Sequence, residues 1–345
     1  MEKTFTQIRD ARNISKTKEI LKELPEFCSY YFDSIQNKTS TLTQMNYAHD
    51  IKLFFYYLVC YRNFFPTIKS VTCSDLEKLK YHDFEAYLNW LTKYEIDDIE
   101  HTNSLSGKAR KLASLRSFFN YLFKVDLIST NQIEKVDMPK LHDKEIIRLE
   151  PNEMTEVLDE VSSLSKFSKQ NKKYIQHMNE RDNAIMYLFL STGIRISELV
   201  GIDIDDINFE ENAFKIVRKG GNNAVMYFPD ETREVLLKYK QIRDKITPLQ
   251  GHSNAFFLST QKKRISVRAV EDLVKKYTKN VVHLKNISPH KLRSTFGTNL
   301  YRETQDIYIV ATMLGHKDVN TTKKHYAAIS EDLKRETANK IKIKK

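Results

Sequence analysis

The chain has 345 residues, of which 41% are hydrophobic, and a formal net charge of +11, so a single small module is excluded and two domains with a sizeable core are predicted. The basic excess favours a polyanionic partner such as nucleic acid, although ordinary proteins also carry basic surfaces. The longest apolar runs fall far short of the roughly 18 residues that cross a bilayer, so no membrane segment is expected. The three cysteines lack close metal-ligand spacing, so no metal site is expected from them and a reducing cytoplasm is favoured.

Residues 1–140 have a helical pattern in which apolar and aromatic residues recur three to four positions apart. The clearest predicted helices are Met45–Tyr61, Tyr81–Tyr94 and Lys108–Phe123, and Ser106 is a suitable N-cap for the third. That third helix carries four basic residues beside its apolar face: Lys108, Arg110, Lys111 and Arg116. One face is expected to pack, while the basic face either follows a DNA groove or is simply solvated.

A linker is predicted at 141–151, where charged residues with little periodicity lie between two prolines. It separates the helical domain at 1–140 from a second domain at 152–330. The remaining residues, 331–345, form a charged tail with too few apolar residues to fold alone. Within the second domain, the lysine-rich stretch 162–179 is expected to be an exposed loop or a frayed helix.

The sequence TGIRISEL follows an apolar helix predicted at Arg181–Leu190. Gly193 breaks that helix, and Arg195 stands between two isoleucines, a position that tends to bury the aliphatic stem while the guanidinium still needs a partner. Glu198, three residues later, is the candidate partner. The pair is either a structural ion pair or a device that aims a phosphate-binding arginine.

A β-hairpin is predicted farther along the chain. The alternation of Ile with Asp from Ile202 to Ile207 is typical of a half-buried strand. The strands Phe214–Val217 and Ala224–Phe228 are then joined by RKGGNN, whose Gly and Asn residues permit positive φ angles. Lys219 lies at the tip of this hairpin. A lysine at such a tip is usually only solvated, but a mobile tip could also reach a neighbouring active site.

Two further arginines are candidate DNA contacts. Ser266 is expected to cap a helix at Val267–Thr278. Arg264 belongs to the basic run that precedes this helix, and Arg268 lies in its first turn, where backbone N–H groups also favour phosphate.

The stretch from Ser288 to Tyr326 contains the residue types that phosphodiester chemistry requires. Ser288 is a suitable N-cap for a helix that carries His290 and Arg293 on one face. Arginine binds phosphate oxygens through two parallel hydrogen bonds, and histidine moves protons near neutral pH. A lone His-x-x-Arg is nevertheless most often a solvated helix face.

The same stretch continues with a second helix, predicted to end in a left-handed turn at Gly315. His316 follows that turn directly. A third short helix is expected to carry Tyr326, whose phenol could form a covalent intermediate or could simply belong to the core.

Taken together and in this order, the motifs resemble those of the tyrosine recombinases, or phage integrase family, over most of the chain. TGIRISEL resembles the first arginine box, the RKGG hairpin resembles the lysine hairpin, PHKLRSTF resembles the His-x-x-Arg box and LGHKDVNTTKKHY resembles the final box. The resemblance implies a catalytic set at the matching positions: Arg195, Lys219, His290, Arg293, His316 and Tyr326. Ser294 departs from the pattern, because many members have a second histidine there.

The resemblance implies a mainly α fold with a small antiparallel β-sheet, built as a helical core-binding domain and a mixed α/β catalytic domain. The implied activity is site-specific DNA recombination through a 3′-phosphotyrosyl intermediate, without a metal or another cofactor. The implied partner is double-stranded DNA with paired recombination sites, bound by a homotetramer or heterotetramer in which 331–345 could link subunits. A Xer-like or mobile-element enzyme is the expected branch.

Two other functions stay open at this stage. A DNA-binding protein without catalysis, such as a helical repressor, would also be basic, but it would need none of the six implied catalytic residues. A type IB topoisomerase uses related chemistry and would relax supercoils without pairing two sites.

Overall fold

The computed structural model describes residues 4–141, 147–163, 172–218, 221–316 and 318–319, with the backbone alone at 172–177. The chain divides into two compact units, Met1–Asp143 and Lys144–Lys345. Both units are mainly helical and contain small antiparallel sheets, so the expected fold class is confirmed. No helix among the described residues is both long enough and apolar enough to cross a membrane.

The first unit contains helices and one β-hairpin. The helices are α1 Phe5–Leu21, α2 Phe27–Ile35, α3 Thr41–Tyr56, α4 Cys73–Glu77, α5 Tyr81–Trp90 and α6 Leu105–Lys124, and the strands are β1 Lys93–Ile96 and β2 Ile99–Thr102. Short 3-10 helices lie at Ile68–Ser70 and Gln132–Lys135, and a π-helical turn, Tyr57–Tyr61, extends α3.

Aromatic side chains form the centre of this unit, as the three-to-four spacing predicts. Phe54 stacks on Phe84 with ring centroids 5.7 Å apart, and Phe119 meets Phe84 edge to face at 5.2 Å. All three rings are buried. Burial of one such side chain stabilises the folded state by about 1.5–3 kcal/mol, so this cluster is a large part of what holds α3, α5 and α6 together.

Two predictions for this unit are wrong in detail. The helix predicted at Tyr81–Tyr94 ends at Trp90, and Tyr94 lies in β1, because Asp97 and Asp98 adopt positive φ angles and close a two-residue hairpin turn. The N-cap of α6 is Ser104 rather than Ser106, since the Ser104 hydroxyl accepts the N–H of Gly107.

The second unit contains helices and one three-stranded sheet. The helices are α7 Pro151–Ser162, α8 Lys172–Thr192, α9 Ile196–Leu199, α10 Asp230–Arg243, α11 Val267–Val281, α12 Pro289–Thr304 and α13 Ile307–Leu314. The strands are β3 Ile207–Asn208, β4 Ala213–Val217 and β5 Asn223–Tyr227, in the antiparallel order β3-β4-β5.

Helix α8 is the centre of the second unit. It packs against α7, α10 and α12, and its apolar residues from Ala184 to Phe189 include five with no exposed surface. The predicted helix Arg181–Leu190 is therefore confirmed as the core of a longer helix. Because α8 ends at Thr192, its C-terminal end fixes the starting point of the segment that carries Arg195.

The predicted hairpin is confirmed, with Phe214 opposite Met226 in the register of β4 and β5. The predicted strand Ile202–Ile207 is wrong. A 3-10 helix, Ile204–Asp206, occupies half of that range, because the Asp206 carboxylate accepts the backbone N–H of Asp203, and Ile207 begins β3. The alternation of Ile with Asp therefore reflects a capped turn rather than a strand.

Candidate active site

A buried carboxylate positions Arg195 at the start of α9. The backbone N–H of Arg195 donates to Oε2 of Glu198 at 3.0 Å, and its Nη1 donates to Oε1 at 2.9 Å. The Glu198 side chain is only 3% exposed, whereas the Arg195 side chain is 32% exposed. The carboxylate is thus fixed inside the protein, and the guanidinium that it orients is still accessible to a ligand.

The turn before Arg195 requires glycine. Gly193 has a φ of 62°, a backbone conformation that residues with a Cβ rarely adopt. The ring of Phe296 also occupies the space that a Cβ would take. This close approach brings α12, which carries Phe296, against the end of α8. As a result, the segment with Arg195 and the helix with Arg293 lie side by side.

A second left-handed glycine ends α13. Gly315 has φ 60° and ψ 49°, and its N–H donates to the carbonyl of Thr312 at 2.9 Å. The next N–H, that of His316, donates to Ala311 at 2.9 Å. The predicted C-cap is therefore confirmed, and the turn holds the half-buried His316 directly beyond the end of the helix.

Arg293 connects these two turns. It is buried in α12, with Nη1 donating to the carbonyl of Gly193 and Nη2 donating to the carbonyl of Leu314. Arg195 reaches the same place, because its Nη2 donates to the carbonyl of Gly315 at 3.2 Å. Two guanidinium groups from distant parts of the sequence therefore bind adjacent carbonyls of the turn that leads into His316.

His290 lies in the first turn of α12, one helical turn before Arg293, and its side chain is exposed. Ser288 is the N-cap residue, as predicted, but its side chain makes no capping hydrogen bond. The hydroxyl of Ser294 donates to the carbonyl of His290 at 3.2 Å. Ser294 therefore bonds to the backbone of its own helix.

Lys219 and Tyr326 lie outside the described residues, as does the predicted third helix. The described part of the second unit brings together Arg195, Arg293 and His316, with His290 on the same helix as Arg293. Within the described residues, no group of three or more His, Cys, Asp and Glu side chains could hold a metal ion.

In the first unit, a buried carboxylate lies beside two of the basic residues of α6, Arg110 and Lys111. Arg110 donates to both oxygens of Asp50, at 2.5 and 2.8 Å, and the hydroxyl of Ser114 donates to the same carboxylate at 2.9 Å. Lys111 is itself buried, with Nζ 3.9 Å from Asp50 and donating to Asn103 at 2.9 Å. Burial lowers the pKa of Lys111, against the opposing effect of Asp50.

The other two basic residues of α6 also bind within the unit. Lys108 donates to the hydroxyl of Thr92 at 2.6 Å, and Arg116 donates to the carbonyl of Val136. All four therefore have acceptors in their own unit, although Lys108 and Arg110 keep partial exposure. Their predicted role in DNA binding stays a prediction.

The two predicted DNA contacts in the second unit differ from one another. Arg264 donates to the carbonyls of Val200 and Ile202, both at 3.0 Å, and pairs with Asp203, so it ties the loop after α9 to the rest of the unit. Arg268 is 80% exposed on the first turn of α11, with Asp272 at 3.3 Å. Arg268 is consequently the more accessible of the two to a DNA phosphate.

Two structurally important residues were not singled out from sequence. Asp50 lies within an aromatic helix, and a lone acid among apolar residues is the signal that could have indicated a buried carboxylate. Arg218, next to Lys219 in the hairpin, packs its guanidinium onto Gly315. Only the tertiary fold brings these two positions together.

The chain is similar to known proteins over most of its length. Residues 154–332 match the phage integrase family. The tyrosine recombinase XerC of Caldanaerobacter subterraneus subsp. tengcongensis is 34% identical over 330 residues, which cover 92% of this chain and 86% of that protein. XerC of Thermodesulfovibrio yellowstonii is 31% identical over 284 residues, covering 78% of this chain and 90% of that protein.

Solved structures share the fold at lower identity. The XerH site-specific recombinase bound to palindromic difH substrate has a TM-score of 0.63 at 18% identity, covering 87% of this chain and 80% of that chain. A lambda integrase tetramer bound to a Holliday junction has a TM-score of 0.61 at 18% identity, covering 87% of this chain and 76% of that chain.

Proposed function

Since this chain belongs to the phage integrase family, we propose that it is a site-specific DNA recombinase that cuts and rejoins strands through a covalent bond to Tyr326. The observation that carries the proposal is the convergence of Arg195 and Arg293 on the turn before His316. A repressor would need no such pair of arginines. The relatives named tyrosine recombinase XerC support the same activity.

The proposed reaction exchanges one ester for another. The phenolic oxygen of Tyr326 attacks the scissile phosphorus in line, the bond from phosphorus to the 5′-oxygen breaks, and the DNA 3′-phosphate is left joined to tyrosine. Lys219 protonates the departing 5′-oxygen, and His290 assists removal of the phenolic proton. Rejoining is the reverse reaction with a 5′-hydroxyl of another strand, and the phosphodiester energy is kept in the protein linkage.

The arginines supply binding and charge stabilisation. A phenol with an ordinary pKa of about 10 needs nearby positive charge or a base to become a nucleophile at neutral pH. Arg195 and Arg293 bind the non-bridging oxygens and oppose the negative charge that grows in the transition state, and His316 donates a hydrogen bond to the phosphate. Because both guanidinium groups are already held by protein acceptors, they need little rearrangement on binding.

Glu198 acts through Arg195. Its buried carboxylate accepts one hydrogen bond from the guanidinium and one from the backbone N–H of Arg195, and it does not itself contact the substrate. A positioning residue of this kind keeps the phosphate-binding guanidinium of Arg195 within a narrow range of orientations, which favours the transition state over the free substrate.

The partner in this proposal is double-stranded DNA with two recombination sites, bound by four subunits. One neighbour in fold is a lambda integrase tetramer on a Holliday junction. We assign DNA binding to the first unit and catalysis to the second, and we regard 331–345 as the segment that could join subunits. A Xer-like or mobile-element role in the cytoplasm fits the relatives and the three free cysteines.

The test uses nicked duplexes that carry the binding site, selected by repeated binding of the full-length protein to a randomised pool. When cleavage releases the short strand next to the nick, rejoining is blocked and the covalent protein–DNA adduct accumulates. We expect Tyr326→Phe to bind these duplexes with unchanged affinity and to form no adduct. Adduct detected at the level of the unsubstituted protein would remove Tyr326 from the mechanism.

The matched control is Tyr308→Phe. Tyr308 is 69% exposed on α13, so it is a second accessible phenol in the same part of the chain, and its substitution is expected to leave adduct formation unchanged. A two-site assay then separates the remaining alternatives: exchange of flanking DNA between two sites supports a recombinase, whereas relaxation of supercoiled DNA without exchange supports a topoisomerase.

A further inference from the structure

Arg218 approaches the candidate active site from the turn end of the β4–β5 hairpin, directly after β4. Its backbone is fixed there, because its N–H donates to the carbonyl of Asn222 at 2.8 Å and its own carbonyl accepts the N–H of Gly221 at 3.0 Å. Lys215 and Val217 are exposed on one face of β4, whereas Ile216 is buried on the other. The alternation of a strand therefore directs Arg218 to the inner side.

The Arg218 guanidinium lies on Gly315. Its Nη1, Cζ and Nε atoms overlap the space that a Cβ at position 315 would occupy. Gly315 is thus favoured by its positive φ, and its missing Cβ leaves room for this side chain. Since Arg195 donates to the carbonyl of Gly315 and Arg293 to that of Leu314, three arginines meet at one turn.

Arg218 differs from the other two in its hydrogen bonding. Its Nε is buried, and among the described residues it has no hydrogen-bond acceptor. A buried donor without an acceptor costs about 1–3 kcal/mol, and a third cation beside two others adds repulsion. A phosphate bound at the turn would relieve the repulsion through its negative charge and would offer acceptor oxygens to the guanidinium.

We infer that Arg218 is a third phosphate-contacting arginine, which donates to the same phosphodiester that Arg195 and Arg293 bind. This inference rests on the proposed function.

The first experiment compares single-turnover cleavage of the nicked duplex by Arg218→Gln, Arg218→Lys and Lys215→Gln. Arg218→Gln removes the positive charge and the planar set of guanidinium N–H donors. It is expected to slow adduct formation about 100-fold, the usual effect of losing one donor to a transition-state oxyanion. Arg218→Lys keeps the charge but loses the paired donors, and it is expected to slow adduct formation about 10-fold. Lys215→Gln, a loss of charge on the outer face of the same strand, should stay within about twofold.

A neutral substrate separates phosphate contact from a purely structural role. In a duplex with methylphosphonate at the scissile position, the charge that Arg218 would oppose is absent. We expect the ratio of unsubstituted to Arg218→Gln rates to fall from about 100 to below about 3 on this substrate, following the loss of the charged partner. An unchanged ratio would show that Arg218 acts only through the fold, and equal cleavage of the normal duplex by both proteins would exclude any role.

The third measurement does not depend on cleavage. The slope of log affinity against log salt concentration for the intact duplex is expected to decrease by about one in Arg218→Gln, as for the loss of one phosphate contact, and to be unchanged in Lys215→Gln. If the unsubstituted protein forms no adduct, the proposed function fails, and this slope still decides whether Arg218 contacts phosphate. An unchanged slope in Arg218→Gln overturns the inference.

Discussion

The basic face of α6 and the turn at 314–316 are both rich in cations, but they use them differently. On α6, Asp50 and nearby oxygens accept hydrogen bonds from the basic side chains, and Lys111 is buried. At the turn, the arginines come from segments far apart in sequence, and the buried Nε of Arg218 has no acceptor among the described residues. A run of basic residues is therefore a weaker sign of a ligand site than separate cations that meet at one turn.

The largest expected effect that follows from this comparison is at Arg293. Arg293→Lys keeps the charge but cannot donate to the carbonyls of Gly193 and Leu314 and to a phosphate at the same time. We expect cleavage of the nicked duplex to slow by about 100- to 1000-fold in single-turnover assays.

The control for that prediction is the same substitution on α6. Arg110→Lys keeps a cation beside Asp50, so cleavage at saturating protein is expected to stay within about threefold. Equal loss of cleavage in the two variants would contradict the distinction between a structural and a catalytic arginine.

The next effect concerns stability. Asp50 is buried and accepts hydrogen bonds from Arg110 and Ser114, so Asp50→Ala leaves those donors without their shared acceptor. We expect the free energy of unfolding of the first unit to decrease by about 2–3 kcal/mol, below the usual range for a fully buried ion pair because Arg110 is half exposed.

Trp90 makes this measurement specific to the first unit. It is the single tryptophan of the chain and is buried in this unit, so its fluorescence during urea denaturation reports the unfolding of the unit in the full-length protein. Asp33→Ala on the exposed face of α2 is the matched control, with an expected change within about 0.5 kcal/mol. A similar loss in both variants would show that the Asp50 network is not structural.

The sequence predicted those structural features that depend on residues close together in the chain. The αL end of α13 at Gly315, the hairpin around Lys219 and the start of α12 after Ser288 all follow from residue types with strong backbone preferences. The pairing of Arg195 with Glu198 could also be anticipated, because the partners are three residues apart.

Contacts between distant segments could not be predicted in this way. Nothing around Arg110 indicates that Asp50 binds it, and nothing around Arg218 indicates that it lies on Gly315. The helix predicted to include Tyr94 failed for a related reason: its apolar spacing continued, but two aspartates with positive φ favoured a hairpin turn. The motifs thus identified the candidate site residues, and the fold determined which cations bind acceptors inside the protein.

The smallest expected effect is a change in the pH dependence of the free energy of unfolding, caused by the buried Lys111 of α6. Burial holds the pKa of Lys111 below its ordinary value. Below the folded-state pKa, Lys111 is charged in both the folded and the unfolded chain, so folding must bury a charge. As pH rises above that pKa, the folded protein loses the proton while the unfolded lysine keeps it up to about pH 10.4, and the free energy of unfolding therefore increases.

Lys111→Met lacks this increase, which is expected to be below about 1 kcal/mol between pH 8 and 9.5 in urea denaturation followed by Trp90 fluorescence. An identical pH dependence in both proteins would contradict a lowered pKa for Lys111 in the folded protein.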